Sequence, residues 1–178
     1  MRFKLTFRFR LLFTCLVTLL VWAHLAWDYC HDGVPAHYLL HRKDMPSISN
    51  WWGGLLVPLL TWSLLYRLRH RLEKNQVSAQ TMGYGFFGAL FFGIALSYFF
   101  SIGSEAPGVM VMGLFILALF VPIYREEYLL GFVLGMAFTF GGVLPAVVGV
   151  VLALMFAFLF ILVRGGILFL YSKITAYK

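Results

Sequence analysis

"YLLGFVLGMAFTFGGVLPAVVGVVLALMFAFLFILV", residues 128–163, runs for 36 residues without one charged side chain. As a single helix it would be about 54 Å long, against a membrane hydrocarbon core of about 30 Å. One crossing cannot use it up. The run also carries its own interruption, because Gly141, Gly142 and Pro145 in "GGVLP" break any helix through its middle. The expected reading is two short spans in a tight hairpin, with a single span plus a re-entrant half-helix as the runner-up.

The rest of the chain has the same character. Its 178 residues are 62% hydrophobic and 12% charged, with a mean hydropathy of +0.88. A soluble domain is about one quarter charged, so the composition is that of an integral membrane protein. The length suits one membrane domain over residues 1–178. Apolar segments mark spans at about 9–28, 51–66, 81–101, 108–123, 128–143 and 146–163. The fold expected is an all-α bundle of six transmembrane helices. A signal peptide is the other reading of the N-terminus. It is disfavoured because Ala23 and Ala26 are spaced A-x-x-A between bulky Trp22 and Trp27.

Six spans put both termini on one side, and the basic residues choose which. With the N-terminus in the cytoplasm, 12 of the 14 Lys and Arg fall inside, leaving only Arg42 and Lys43 outside. The expected location is the cell membrane, with residues 28–50 on the outer (periplasmic or extracellular) side. The net charge of +7 lies in blocks that flank apolar segments. That is the pattern of anchoring to anionic lipid headgroups, not of a nucleic-acid footprint. Membrane lipids are therefore expected partners and nucleic acid is not. Glycines also line helix faces, as in "GYGFFG" (83–88), Gly93 and Gly131-x-x-x-Gly135. They permit close helix packing, and with it association of two copies. "GYGFFG" matches a dinucleotide-binding pattern, but it lies inside a span with no strand before it.

The polar chemistry gathers in "DYCHDGVPAHYLLHRKD", residues 28–44, just beyond the first span. His24, Asp28, His31 and Asp32 follow at i, i+4, i+7 and i+8, one face of a helix. His37 and His41 sit at i and i+4. Imidazole and carboxylate ligands at such spacing suit a divalent metal such as zinc, with His31, His37, His41, Asp32 and Asp44 as candidate ligands. The pattern lacks the glutamate of H-E-x-x-H, and a solvated interfacial loop is the competing reading. His24, Asp28, Arg42 and Glu105 are candidates for lining an outer vestibule.

Three functional expectations follow. The first is a small transporter or channel whose His/Asp-rich outer vestibule serves an ion or small polar solute. In it, the helix breaks at Pro58, Pro122 and Gly141–Pro145 would free backbone carbonyls to line a path. The alternative is a metal-dependent interfacial enzyme acting on a lipid or lipid-linked substrate, with Arg42 holding a headgroup phosphate. The third is an accessory membrane subunit. "YREEY", residues 124–128, reads as a local ion pair at the inner membrane edge.

Overall fold

The structure, a computed structural model, describes residues 5–31, 33, 36–38 and 47–176; for 36–38, 47–48, 164 and 168–176 it describes the backbone only. The charge-free run is two helices. The first, α5 (Glu126–Phe140), ends at Gly141, whose φ of 72° lies in the left-handed region that glycine adopts without strain. The second, α6 (Val143–Ala176), begins two residues later. Pro145 falls in its first turn, where a missing N–H costs nothing. Expected to close near residue 163, α6 instead continues for 13 residues past it. The sequence 164–176 contains no proline, and Gly165–Gly166 weaken the helix by only about 1 kcal/mol each.

Ahead of these lie α1 (Phe7–His31), a two-stranded ribbon of β1 (Ala36–Tyr38) and β2 (Ser47–Ser49), one 3₁₀ turn (Asn50–Trp52), α2 (Gly53–Glu73), α3 (Ala79–Ser101) and α4 (Ala106–Phe120). The ribbon is antiparallel, with His37 opposite Ile48. Serines open two of the helical segments. Ser49 accepts from the Trp51 amide and Ser78 from the Thr81 amide. Pro122 lies two residues past the end of α4, as expected of a residue that cannot continue a helix.

Among the described residues, three helices are long and apolar enough to cross a membrane: α1, α3 and α6 over Val143–Ile167. Helices α4 and α5 have 15 residues each, about 22 Å of rise. Large apolar side chains face outward, with Leu12, Leu19, Phe91, Phe120 and Phe158 each 65–77% exposed. That surface suits lipid, not water.

Side-chain contacts fix the helix directions. Phe7 meets Trp62 and Trp22 meets Trp51, so α1 and α2 are antiparallel. Phe92 meets Phe132 and Phe100 meets Phe140, so α3 and α5 run parallel. Phe115 meets Phe156 and Tyr124 meets Phe160, which sets α6 against α5 and beside α4. One end of the bundle therefore carries His24, Asp28 and the α5–α6 break, and is termed the histidine end. The other carries the α2–α3 turn and the start of α5, and is termed the arginine end.

Glycine governs the α3–α5 contact. A Cβ on Gly131 would collide with the Phe86 carbonyl, and one on Gly135 with the Leu90 carbonyl. These two glycines are taken up inside the chain. Gly83, by contrast, has nothing within 4 Å of its Cβ position.

Helix α2 runs unbroken through Pro58, so the break expected there is absent. Proline leaves the carbonyl four residues back, that of Gly54, without its helical donor. The Trp22 indole N–H donates to that oxygen at 3.2 Å, so the freed carbonyl faces a neighbouring helix and no open path. The α5–α6 break is closed in a similar way. The Asn50 side-chain oxygen, in a residue only 4% exposed, accepts from the Gly142 amide at 3.0 Å. Loss of that acceptor in Asn50→Ala strands a buried N–H, an expected cost of about 1–3 kcal/mol. Thermal unfolding in detergent measures it, and an unshifted Tm would show that the break is held by something other than Asn50.

Candidate functional site

At the histidine end, the last turns of α1 carry His24, Asp28 and His31. His24 Nδ1 lies 3.7 Å from Asp28 Oδ1, with both side chains largely buried (25% and 18% exposed). This is longer than a hydrogen bond and becomes an attraction when the imidazole is protonated. The His24 ring stacks on Phe138 with centroids 4.9 Å apart, so the end of α5 fixes its position. His31 turns back onto its own helix. Its ring stacks on Trp27 at 4.0 Å and its Nδ1 lies 3.0 Å from the Trp27 carbonyl oxygen. A carbonyl oxygen only accepts, so Nδ1 carries the hydrogen, and Nε2 of the neutral ring keeps a free lone pair.

The structure thus brings His24 and Asp28 together and orients His31. It places the backbone of His37 in the ribbon. Asp32, His41, Arg42 and Asp44 lie outside the described residues. Glu105 is exposed at the start of α4, and no hydrogen bond or ion pair joins it to His24 or Asp28. Helix α1 packs on α2 and, more thinly, on α5. Among the described residues, no group of three His, Cys, Asp or Glu side chains converges as a metal site.

The arginine end is more developed than the sequence suggested. "YREEY" does not close a local ion pair. Arg71 Nη1 on the last turn of α2 donates to Glu126 Oε2 at 2.7 Å and to Glu127 Oε2 at 2.8 Å. The correction follows from packing, because antiparallel α2 and α5 bring the end of one against the start of the other. The first turn of a helix also favours acids. Glu127 is 1% exposed, and a Cβ on Gly85 would come within 2.9 Å of its Cγ. A side chain at that position of α3 would force Glu127 to shift. Burial by itself pulls the Arg71 guanidinium down, but Glu127 and Glu126 more than reverse this and leave it above its ordinary value. Beside it, the Arg69 guanidinium bonds Glu73 at 2.7 Å and holds that carboxyl below its usual range.

Next to this triad opens a cleft of about 770 Å³, walled by α2, α5 and α6 and carrying Arg67, Arg71, Arg125 and Glu126. Arg67 and Arg125 form no ion pair among the described residues. A second cavity of about 260 Å³ lies among α3, α4, α5 and α6, and side chains such as Phe92, Leu114, Phe132 and Phe156 make its walls almost wholly apolar. Chemically, the cleft offers two uncommitted guanidinium groups over a neutralised third. The sequence signal for it was available, since "REE" and the "RLRHR" block both fall at the edges of apolar segments. What no spacing gives is that segments 55 residues apart meet.

No family model, curated protein or solved structure matches the chain.

Proposed function

We propose that this chain is a six-span cell-membrane protein with both termini in the cytoplasm, and that it binds and transports anions. The arginine cleft is its inner binding site and the His24–Asp28 end its outer vestibule, to which Glu105 and Arg42 belong in this reading. The cleft carries the proposal, because Arg67, Arg71 and Arg125 line it, Arg71 is held by Glu126 and Glu127, and Arg67 and Arg125 remain to meet an anion. Alternating helix directions and the distribution of basic residues support the topology. The short α4 and α5, with the break at Gly141, resemble the interrupted helices on which membrane transporters build solute sites. Pairing of two copies through a glycine face would fall to open positions such as Gly83, since Gly131 and Gly135 are taken.

Two measurements test this. In cells whose protein lacks Cys15 and Cys30, an impermeant maleimide should label Ser104→Cys from outside and leave Ser78→Cys unlabelled. Labelling of Ser78→Cys overturns the orientation. In proteoliposomes, inorganic phosphate or acetate should enter saturably, and Arg67→Gln should cut that flux about tenfold, the equivalent of one charge-assisted hydrogen bond. Flux no greater than in empty liposomes overturns transport.

A second reading rests on His31. Its Nδ1 is tied to a carbonyl, the arrangement that fixes the tautomer of many metal-binding histidines and presents Nε2 to the ion. With His37, His41, Asp32 and Asp44, it would hold zinc in a metal-dependent enzyme acting on lipid. Elemental analysis should then find about one zinc per chain, lost in His37→Ala and His41→Ala; metal-free protein rules the reading out.

A further inference from the structure

The arginine cleft and the apolar cavity are neighbours, and their juxtaposition says more about the ligand than either alone. Leu129 of α5 and Ala153 of α6 belong to the walls of both. A polar mouth and an oily chamber therefore share a wall at this pair of side chains. The two lie side by side along the same turns of α6, so that beyond the wall at Leu129 the guanidinium groups give way to Phe132 and Phe156. A hydrophilic anion would use the cleft only and leave the chamber without a role.

We infer that the anion taken by this cleft is an anionic membrane lipid, its phosphate held by Arg67 and Arg125 and part of one acyl chain lying in the apolar cavity. The inference rests on reading the cleft as an anion site, and adds the identity of the anion. Three observations support a lipid over a small solute. The cleft belongs to the end of the bundle where Arg67, Arg69, Arg71, Lys74 and Arg125 are concentrated, the end that faces anionic headgroups of the inner leaflet in the proposed topology. The walls beyond Leu129 are hydrocarbon and aromatic, with almost no polar surface, and match an acyl chain. Arg71 is already held by two carboxylates, so the cleft keeps Arg67 and Arg125 to meet the charge of a phosphate headgroup.

Gly88 makes the chamber testable without damage to the fold. It lines the apolar cavity, and a Cβ built there meets nothing within 4 Å. Gly88→Leu therefore fills the chamber from α3 with no backbone to displace, and Ala153→Leu fills it from the shared wall. The full chain in a nonionic detergent is titrated with dioleoyl phosphatidic acid, dioleoyl phosphatidylcholine and inorganic phosphate, with binding read by native mass spectrometry. Phosphatidic acid is expected to bind at least tenfold more tightly than phosphatidylcholine. The double change Arg67→Gln with Arg125→Gln should erase that preference and also weaken phosphate. Gly88→Leu and Ala153→Leu should weaken phosphatidic acid at least tenfold, and Gly88→Leu, which lies outside the cleft, should leave phosphate unchanged. If phosphate binds as well as phosphatidic acid, and neither filler alters either ligand, the lipid is overturned while the anion cleft stands. If the arginine changes affect no ligand, the cleft reading and the lipid inference fall together.

Discussion

Gly135→Leu should lower the Tm of the detergent-solubilised protein by about 6–12 °C, the shift that about 3 kcal/mol produces in a chain of this size. The figure comes from the α3–α5 contact. A Cβ at Gly135 would run into the Leu90 carbonyl, and one at Gly131 into the Phe86 carbonyl. Backbone cannot rotate away as a side chain does, so the two helices must separate. Forced overpacking of an ordinary core costs about 1–3 kcal/mol, and here the displaced partner is the most extensive helix pair of the fold. In lipid or detergent, no hydrophobic drive compensates for lost fit, because the surrounding chains are as apolar as the helices. Gly88→Leu is the internal control. It makes the same change on the partner helix α3, at a position where an added Cβ meets nothing within 4 Å, and the helix propensity of leucine should raise stability by up to about 1 kcal/mol. Equal stability of Gly131→Leu, Gly135→Leu and the parent protein would mean that α3 and α5 do not touch through these residues.

How far the sequence carried depended on whether a feature was local. The division of residues 128–163 at "GGVLP" was legible because glycine and proline act on their own backbone, and the break fell at Gly141–Gly142. The helical class was legible because long apolar runs leave few alternatives. The far end of α6 was not, since Arg164 ends the charge-free run but says nothing of where a helix stops. Pro58 misled for a related reason. A proline opens one hydrogen bond, but whether a path or a neighbour receives the freed carbonyl depends on Trp22, 32 residues from Gly54. The histidine-end residues within one helical turn, His24 and Asp28, were placed together by their spacing. The partner of Glu127 was hidden because it lies 56 residues away on another helix. Local reading assigned that acid to Arg125, its near neighbour in the chain.

That hidden pair supports the second large effect. Arg71→Met should destabilise the protein by about 3–5 kcal/mol, the usual result of removing one partner of a buried ion pair. Glu127, 1% exposed, would be left against Gly85 with no cation, and Glu126 would lose the same partner. Glu127→Gln should cost less, because Arg71 keeps Glu126 and the glutamine oxygen still accepts. A paired change, Arg71→Met with Glu127→Met, should recover most of the loss, since two matched apolar groups leave no stranded charge on Glu127. The pH dependence has a definite sign. Arg71 is held above its ordinary, strongly basic value, so its contribution is complete at all pH below the unfolded value and fades only as pH rises through the folded one. Titration of Arg71 therefore adds no slope to stability near neutrality. Thermal unfolding of the three variants in one detergent, at neutral pH, decides the matter. If Arg71→Met melts with the parent protein, the triad contributes nothing to holding α2 against α5.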